Sequence, residues 1–436
     1  MAFACWLCCN TQLHRFSPVP CVLPCAADIT SGEFAALKEV LGEAGGQRDV
    51  VASLLTKISA LQTAVAAAEA TRRKLHNELV CIRGNIRVYC RVKPHPASVV
   101  RCAPDQSGVA IAVDGKEHTF AYDRVFTPGT AQEDVFASVS ELVQSALDGY
   151  HVCLFSYGQT GAGKTYTMQG TDSPAGRGII PRAVEKILDT AAQLQEQCEW
   201  EYSMEASFVE VYNNSLRDLL GGPSSPYIND QSAIKHDAAG GHTTVTGVSK
   251  VPISDAGAAD ALIRRAAASR ACEATAMNAE SSRSHSVFML YITGSHAATN
   301  TRLQGCLCLV DLAGSERLDR SQVEDARKKE ACAINQSLSA LGDIFAALSS
   351  KNAHVPYRNS KLTYLLQPCL GGQGKTLMFV NINPEPASAS ESLFSLKFAA
   401  KVNGCALSPL LRSPALCSAF KAPCTAVHWV GRCLLP

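Results

Sequence analysis

Charge of one sign, aromatic surface and long apolar runs are all in short supply in this sequence. Its 40 Lys and Arg nearly cancel 39 Asp and Glu, leaving +1, and Phe, Trp and Tyr make up 6% of the 436 residues. No overall field can therefore draw in a polyanion, and an acidic partner has to be met by a local basic patch. No apolar run approaches the ~18 residues of a membrane helix, which argues against a membrane span. The amino terminus lacks the basic start of a secretory signal, and no segment recurs as an internal repeat. Cysteine, at 19 residues, is not scarce. Cys5, Cys8, Cys9, Cys21 and Cys25 cluster near the start without a second C-x-x-C knuckle or a histidine pattern suited to zinc. Others, such as Cys90, Cys153 and Cys306, are scattered singly through apolar segments as small hydrophobes.

The organisation follows from pattern changes. Residues 1–35 mix Cys, Pro and isolated hydrophobes without a period and predict an irregular lead; residues 405–436 predict a similar tail. Residues 36–84 predict a helical stalk or neck, its coiled coil mainly within 51–83. There Val51, Leu54, Ile58, Leu61, Val65, Ala68, Arg72, Leu75, Leu79 and Ile82 step by three and four residues, a heptad seam spoiled at Arg72 and weakened at Ala68. The spacing favours a two-stranded coiled coil, and hence a homodimer, over one helix lying on the next domain. Gly84-Asn85 stops the helix. From 85 to 404, strand-like segments (86–92, 151–157, 204–212, 286–293, 305–311, 376–382) alternate with helix-like ones near 132–147, 181–196, 256–270, 327–349 and 387–402. That alternation predicts an α/β fold, a central mostly parallel or mixed sheet with helices on both faces.

Chemistry concentrates after the second of those strands. Gly158-Gln159-Thr160-Gly161-Ala162-Gly163-Lys164-Thr165 satisfies G-x-x-x-x-G-K-[ST] at every fixed position, and it follows the apolar strand His151–Tyr157. Glycines let successive backbone N–H groups point at phosphate oxygens, and the following helix start adds its positive end. Lys164 is placed to reach the β- and γ-phosphates, and the Thr165 hydroxyl to ligate Mg²⁺. A triphosphate site also implies a reducing compartment, cytosolic or nuclear. Leu307-Cys308-Leu309-Val310-Asp311-Leu312-Ala313-Gly314 is a second apolar strand, ending in an acid able to hold Mg²⁺ through water and a glycine able to sense a γ-phosphate. Asn278-Ala279-Glu280-Ser281-Ser282-Arg283-Ser284-His285 is a dense run of hydroxyls, Arg and His that suits either a γ-phosphate lid or a solvated loop. No N-K-x-D guanine segment occurs; Arg91, Pro94 and Tyr166 can flank a purine, and ATP is favoured.

GQTGAGKT, NAESSRSH and DLAGSE, in that order, together with His354-Val355-Pro356-Tyr357-Arg358-Asn359-Ser360-Lys361-Leu362-Thr363, resemble the motor domain of the kinesins over residues 85–403. A heptad helix running through Gly84-Asn85 into the first strand resembles the kinesin-14 class, whose motors move toward microtubule minus ends. The resemblance implies a P-loop NTPase-type fold and a microtubule-stimulated ATPase that acts on the cytoplasmic cytoskeleton, the spindle included. A non-motile, ATP-binding microtubule-binding module is the alternative. The resemblance also implies that Arg91, Pro94 and Tyr166 hold adenine. Ser281 and Ser282 would belong to the first switch, with Ser282 and Asp311 meeting Mg²⁺ through water, and Asp311 and Gly314 to the second. Arg283 and Glu316 would close the site as a salt bridge.

Between Asp343 and Glu385 there is no acidic residue, whereas Lys351, Arg358, Lys361 and Lys375 are basic and His354 can become so. A basic face without aromatics interleaved at stacking spacing suits an acidic protein surface better than single-stranded nucleic acid, and the resemblance implies that this surface is tubulin. Lys93, Gln336 and the loop 318–330, which lacks glycine, depart from the family's usual residues. The loop implies normal nucleotide binding with weak microtubule-stimulated turnover.

Overall fold

A computed structural model describes residues 48–222, 225–237, 242–277, 282–316, 325–350, 352, 354–371 and 374–406. The expectations for the lead, the tail, Ser281, Lys351 and most of the loop 318–330 lie outside these residues. The chain divides into two compact units between Ala60 and Leu61. Of the first unit only the start of helix α1 (Arg48–Ile82) is described, and its Leu54 is exposed.

The second unit carries β1 (Ile86–Val92), β2 (Val100–Cys102), β3 (Gly108–Val113), β4 (Lys116–Ala121), β5 (Arg124–Phe126), α2 (Gln132–Ala137), α3 (Ser140–Leu147), β6 (His151–Tyr157), α4 (Lys164–Met168), α5 (Ile179–Cys198), β7 (Trp200–Tyr212) and β8 (Ser215–Asp218). Then follow β9 (Ile234–His236), β10 (Thr243–Val245), β11 (Val251–Pro252), α6 (Ala256–Met277), β12 (His285–His296), β13 (Thr301–Asp311), α7 (Asp325–Ser349), α8 (Lys361–Leu365), α9 (Gln367–Leu370), β14 (Lys375–Ile382) and α10 (Ala389–Ala406). The main sheet runs β11-β7-β12-β13-β6-β14-β1-β5, with β8 beside β7. Pairings from β13 through β6, β14 and β1 to β5 are parallel, and the β7, β11 and β12 pairings are antiparallel, so the sheet is mixed, as the alternation implies.

The central strands are buried on both faces, which is why they read as unbroken apolar runs rather than alternating ones. One core face gathers Val88, Phe155, Val310, Leu341, Phe345 and Leu396; the other gathers Leu142, Leu154, Ile187, Phe208, Leu309 and Phe379. Residues 330–349 of α7 are apolar enough to span a membrane by length and composition. Leu338, Leu341, Ile344 and Phe345 are nevertheless buried in the core, with Phe345 stacked on Phe155 at 6.0 Å, so α7 is a core helix. Cys90, Cys153, Cys306, Cys308 and Cys369 are buried free thiols.

From Leu61 onward α1 shows two stripes. Leu61, Val65, Leu75, Leu79 and Ile82, the heptad set, stay about half exposed. The opposite stripe packs on the α/β core: Val80 is fully buried, Arg73 lies 3.9 Å over the Trp200 ring, and His76 Nε2 reaches Glu141 O at 3.0 Å. Arg72, the apparent flaw in the seam, turns to the core instead, where its guanidinium meets Asp148 at 2.5 Å and Glu69 at 2.8 Å.

Candidate nucleotide site and partner face

The chain must reverse sharply where β6 ends. Gly158 takes φ +148°, and a Cβ there would stand 2.3 Å from the Asn381 carbonyl oxygen of the neighbouring strand, so only glycine fits. Gly163, at φ +95°, caps the start of α4, which is only five residues long. With so short a helix, the curled loop rather than a long macrodipole does most of the anion recognition. The loop 158–165 sits at the carboxyl end of β6, between β13 and β14, where open α/β sheets bind ligands.

Lys164 is buried and donates to the carbonyls of Gly158 at 2.9 Å and Gln159 at 3.0 Å. Burial holds its pKa below the ordinary lysine value, although the Asp311 and Glu316 carboxylates pull upward; Arg270 pushes it further down. A buried ammonium held mainly by neutral carbonyls is an attractive seat for phosphate oxygens.

Asp311 stands opposite Ser156 in the parallel ladder. Its Oδ2 accepts from the Thr165 hydroxyl at 2.7 Å, and its Oδ1 from Ser156 at 3.3 Å. Thr165 and Asp311 thus bring two hard oxygen donors together, a set that fits Mg²⁺. Sequence reasoning missed the cation that stands behind Asp311. Arg270, buried on α6, reaches Asp311 at 3.4 Å, the Ser284 carbonyl at 3.0 Å and Glu210 at 4.0 Å, while Glu210 pairs with fully buried Arg217 at 2.8 Å. The one available signal was a lone arginine within an alanine-rich helical run, Ala266–Ala271.

Backbone hydrogen bonds tie the three loops together. Gly314 N–H donates to Ser282 O at 2.7 Å, and Ser315 N–H donates to Gly158 O at 3.1 Å. The expected Arg283–Glu316 ion pair is not made. Glu316 instead accepts from the Thr160 N–H at 2.8 Å and the Thr160 hydroxyl at 2.6 Å, while Arg283 pairs with Glu330 of α7 at 3.2 Å. The reason is local: Thr160 offers two donors to the two carboxylate oxygens, and Glu330 lies within reach of the guanidinium.

Beside the loop opens a cleft of about 460 Å³, lined among others by Arg91, Pro94, Ala162, Gly163 and Tyr166. Arg91 is buried with its guanidinium on Gln132 Oε1 at 2.8 Å and Thr167 Oγ1 at 3.0 Å, 5.1 Å from the Tyr166 ring centre. Burial lowers its pKa, with Tyr166 opposing. Lys93 closes the near edge by donating to Gly161 O at 3.1 Å. Gln159 faces away, accepting from Ser392 at 3.3 Å.

The basic partner face is thinner than the acid-free stretch implied. His354 and Arg358 are exposed, and Arg358 lies 5.4 Å over the Tyr364 ring. Lys361 is buried, with its ammonium on the carbonyls of Ile228 at 3.1 Å and Asn229 at 2.5 Å, so it does not belong to that face. Lys375 is buried as well, on Asn77 Oδ1 at 2.6 Å. Both lysines find oxygen partners from residues distant in sequence, and that satisfies an ammonium away from water.

The sequence profile described as the kinesin motor domain matches residues 93–405. Kinesin-like protein KIN-14D of Arabidopsis thaliana is 46% identical over 382 residues, 82% of this chain and 48% of that protein. Carboxy-terminal kinesin 2 of Xenopus laevis is 42% identical, covering 87% of this chain and 62% of its own length. The chain spans about half the length of several of the curated relatives it matches. Among solved structures, the C-terminal motor and motor homology domain of Kar3Vik1 fused to a synthetic heterodimeric coiled coil aligns with a TM-score of 0.73 at 39% identity, covering 85% of this chain and 98% of that one. The motor domain of the Kar3-like kinesin from Ashbya gossypii aligns at 0.63 and 40% identity, over 73% of this chain and all of that one.

Proposed function

This chain belongs to the kinesin motor-domain family, and we propose that it is an ATP-hydrolysing microtubule motor of the kinesin-14 class, directed toward minus ends. The observation that carries the reading is the pair of backbone bonds joining Gly158 to Ser315 and Gly314 to Ser282. These two bonds link the phosphate loop to both switch loops.

The chemistry needs no protein nucleophile, because phosphoryl transfer to water rests on positioning and charge stabilisation. Lys164 exchanges the Gly158 and Gln159 carbonyls for phosphate oxygens. Thr165 and Asp311 hold Mg²⁺, which when bound neutralises phosphate charge, and Arg270 fixes the Asp311 carboxylate. The adenine lies in the cleft of Arg91, Pro94 and Tyr166. Closure moves Glu316 off Thr160 and Arg283 off Glu330 into the mutual ion pair, which orders the attacking water; Ser281 and Ser282 contribute the first switch. His354, Arg358 and Lys351 meet the acidic track. The half-exposed stripe on α1 supports pairing with a second neck helix, in a homodimer. A heterodimeric partner is the second reading, favoured by the coiled coil named for the Kar3Vik1 structure. The site of action is the cytoplasmic microtubule array, the spindle included.

Steady-state ATP hydrolysis with and without microtubules tests this reading directly. Stimulation is expected, with tighter co-sedimentation in a non-hydrolysable ATP analogue than in ADP. An unstimulated rate would leave a non-motile binding module. Plus-end travel on polarity-marked microtubules would refute the direction.

A further inference from the structure

His285 opens β12 three residues after Ser282 and is 2% exposed. Its ring bridges two other elements. The Ala313 N–H donates to Nδ1 at 3.0 Å, so in the neutral ring Nε2 carries the proton and donates to Ser337 Oγ at 2.7 Å. Ser337, on α7, donates its hydroxyl hydrogen bond to the Ile334 carbonyl at 2.6 Å. The four groups form one directed chain, from the second switch through the ring to the helix. Burial, then the nearby Arg270 and Lys164 cations, hold the imidazole pKa down at about 3. The ring therefore keeps one acceptor and one donor throughout the physiological range, and the chain cannot reverse or break by protonation.

The ends of this chain matter. Ala313 immediately precedes Gly314, whose N–H is bound to Ser282 O. Ser337 sits in the middle of α7, the helix that carries Glu330, the partner of Arg283, and whose carboxyl end leads toward exposed His354 and Arg358. A displacement of the 313–314 peptide must therefore either shift α7 or break a buried hydrogen bond and leave its donor unmet.

We propose that His285 is a positioning residue, a neutral strut that transmits movement of the Ala313–Gly314 peptide to α7 at Ser337 and so couples the nucleotide site to the partner face. The inference rests on the motor reading above. Its test uses the full chain and hydrogen–deuterium exchange over residues 325–349, compared between Mg-ADP and a Mg-bound non-hydrolysable ATP analogue. Ser337→Ala removes the helix end of the strut and leaves the ring on Ala313. The nucleotide-dependent difference over 325–349 should shrink by about half or more while that over 311–314 persists. Microtubule-stimulated kcat should fall about fivefold at an unchanged half-saturating microtubule concentration, with basal turnover within about twofold. Ser337→Thr, which keeps the hydroxyl, should restore both. An unchanged exchange difference in Ser337→Ala overturns the strut, as does an equal loss of basal and stimulated turnover, which marks a merely structural residue. If the unsubstituted chain is not stimulated by microtubules, the motor reading fails, and the exchange comparison, which needs no track, still decides the strut.

Discussion

Lys164 in the phosphate loop and Arg72 on the neck helix are both cations drawn out of water, and their pKa values move in opposite directions. Burial lowers both. At Lys164 burial prevails, because its hydrogen-bond partners are two neutral carbonyls. At Arg72 hydrogen bonds and charge from Glu69 and Asp148 outweigh burial, and the pKa rises. The difference separates two design tasks. The neck cation is compensated within the fold, which suits a helix that must stay clamped to the core. The loop cation is left short of negative charge, which suits a site completed by a polyanion.

The strongest way to break the contrast is Lys164→Ala, expected to lower ATP turnover at least about 10³-fold, given the scale of a lost phosphate clamp; thermal unfolding of the nucleotide-free protein should change far less. Retained turnover would remove the loop cation from the mechanism. Next is Arg270→Leu. It strips a buried partner from Asp311 and Glu210 and should destabilise the fold by about 3–5 kcal/mol, read from denaturant unfolding. Asp148→Asn on the neck side should cost less, about 1–3 kcal/mol, and appear as faster amide exchange in residues 61–82 with basal ATPase unchanged.

Acidity supplies a comparison within the core. His285 has a folded pKa of about 3 and an unfolded one near 6.5. Below pH 6.5 the unfolded chain binds the extra proton, so stability is present above that pH and is lost as pH falls. Between pH 7 and 5 the loss from this group is about 2 kcal/mol, and His285→Asn should flatten that part of the stability–pH curve. Smallest in its effect on the monomer is Leu75→Glu with Leu79→Glu on the outward stripe. Sedimentation should show loss of self-association, while the unfolding midpoint shifts little because both side chains are already half exposed.

Much of this arrangement was legible beforehand because it is written locally. Glycines at 158, 161 and 163 mark positive φ within the loop itself, and apolar runs at 151–157 and 305–311 mark strands buried on both faces. The heptad stripe also emerged as a stripe. Its apparent flaw at Arg72 became intelligible only against Asp148, 76 residues away. Lys361 reads as part of the basic face for the same reason, since the carbonyls that hold it lie 132 and 133 residues earlier.

The sequence alone therefore determined the backbone conformations, the periodicities and the inventory of groups able to handle a triphosphate, because each depends on residues within a few positions of one another. Tertiary structure alone decided which charges face outward, that Arg270 stands behind Asp311, and that Glu316 rests on Thr160 while Arg283 rests on Glu330. Those outcomes depend on desolvation and on hydrogen-bond partners brought together by packing, and neither quantity exists until the chain has folded.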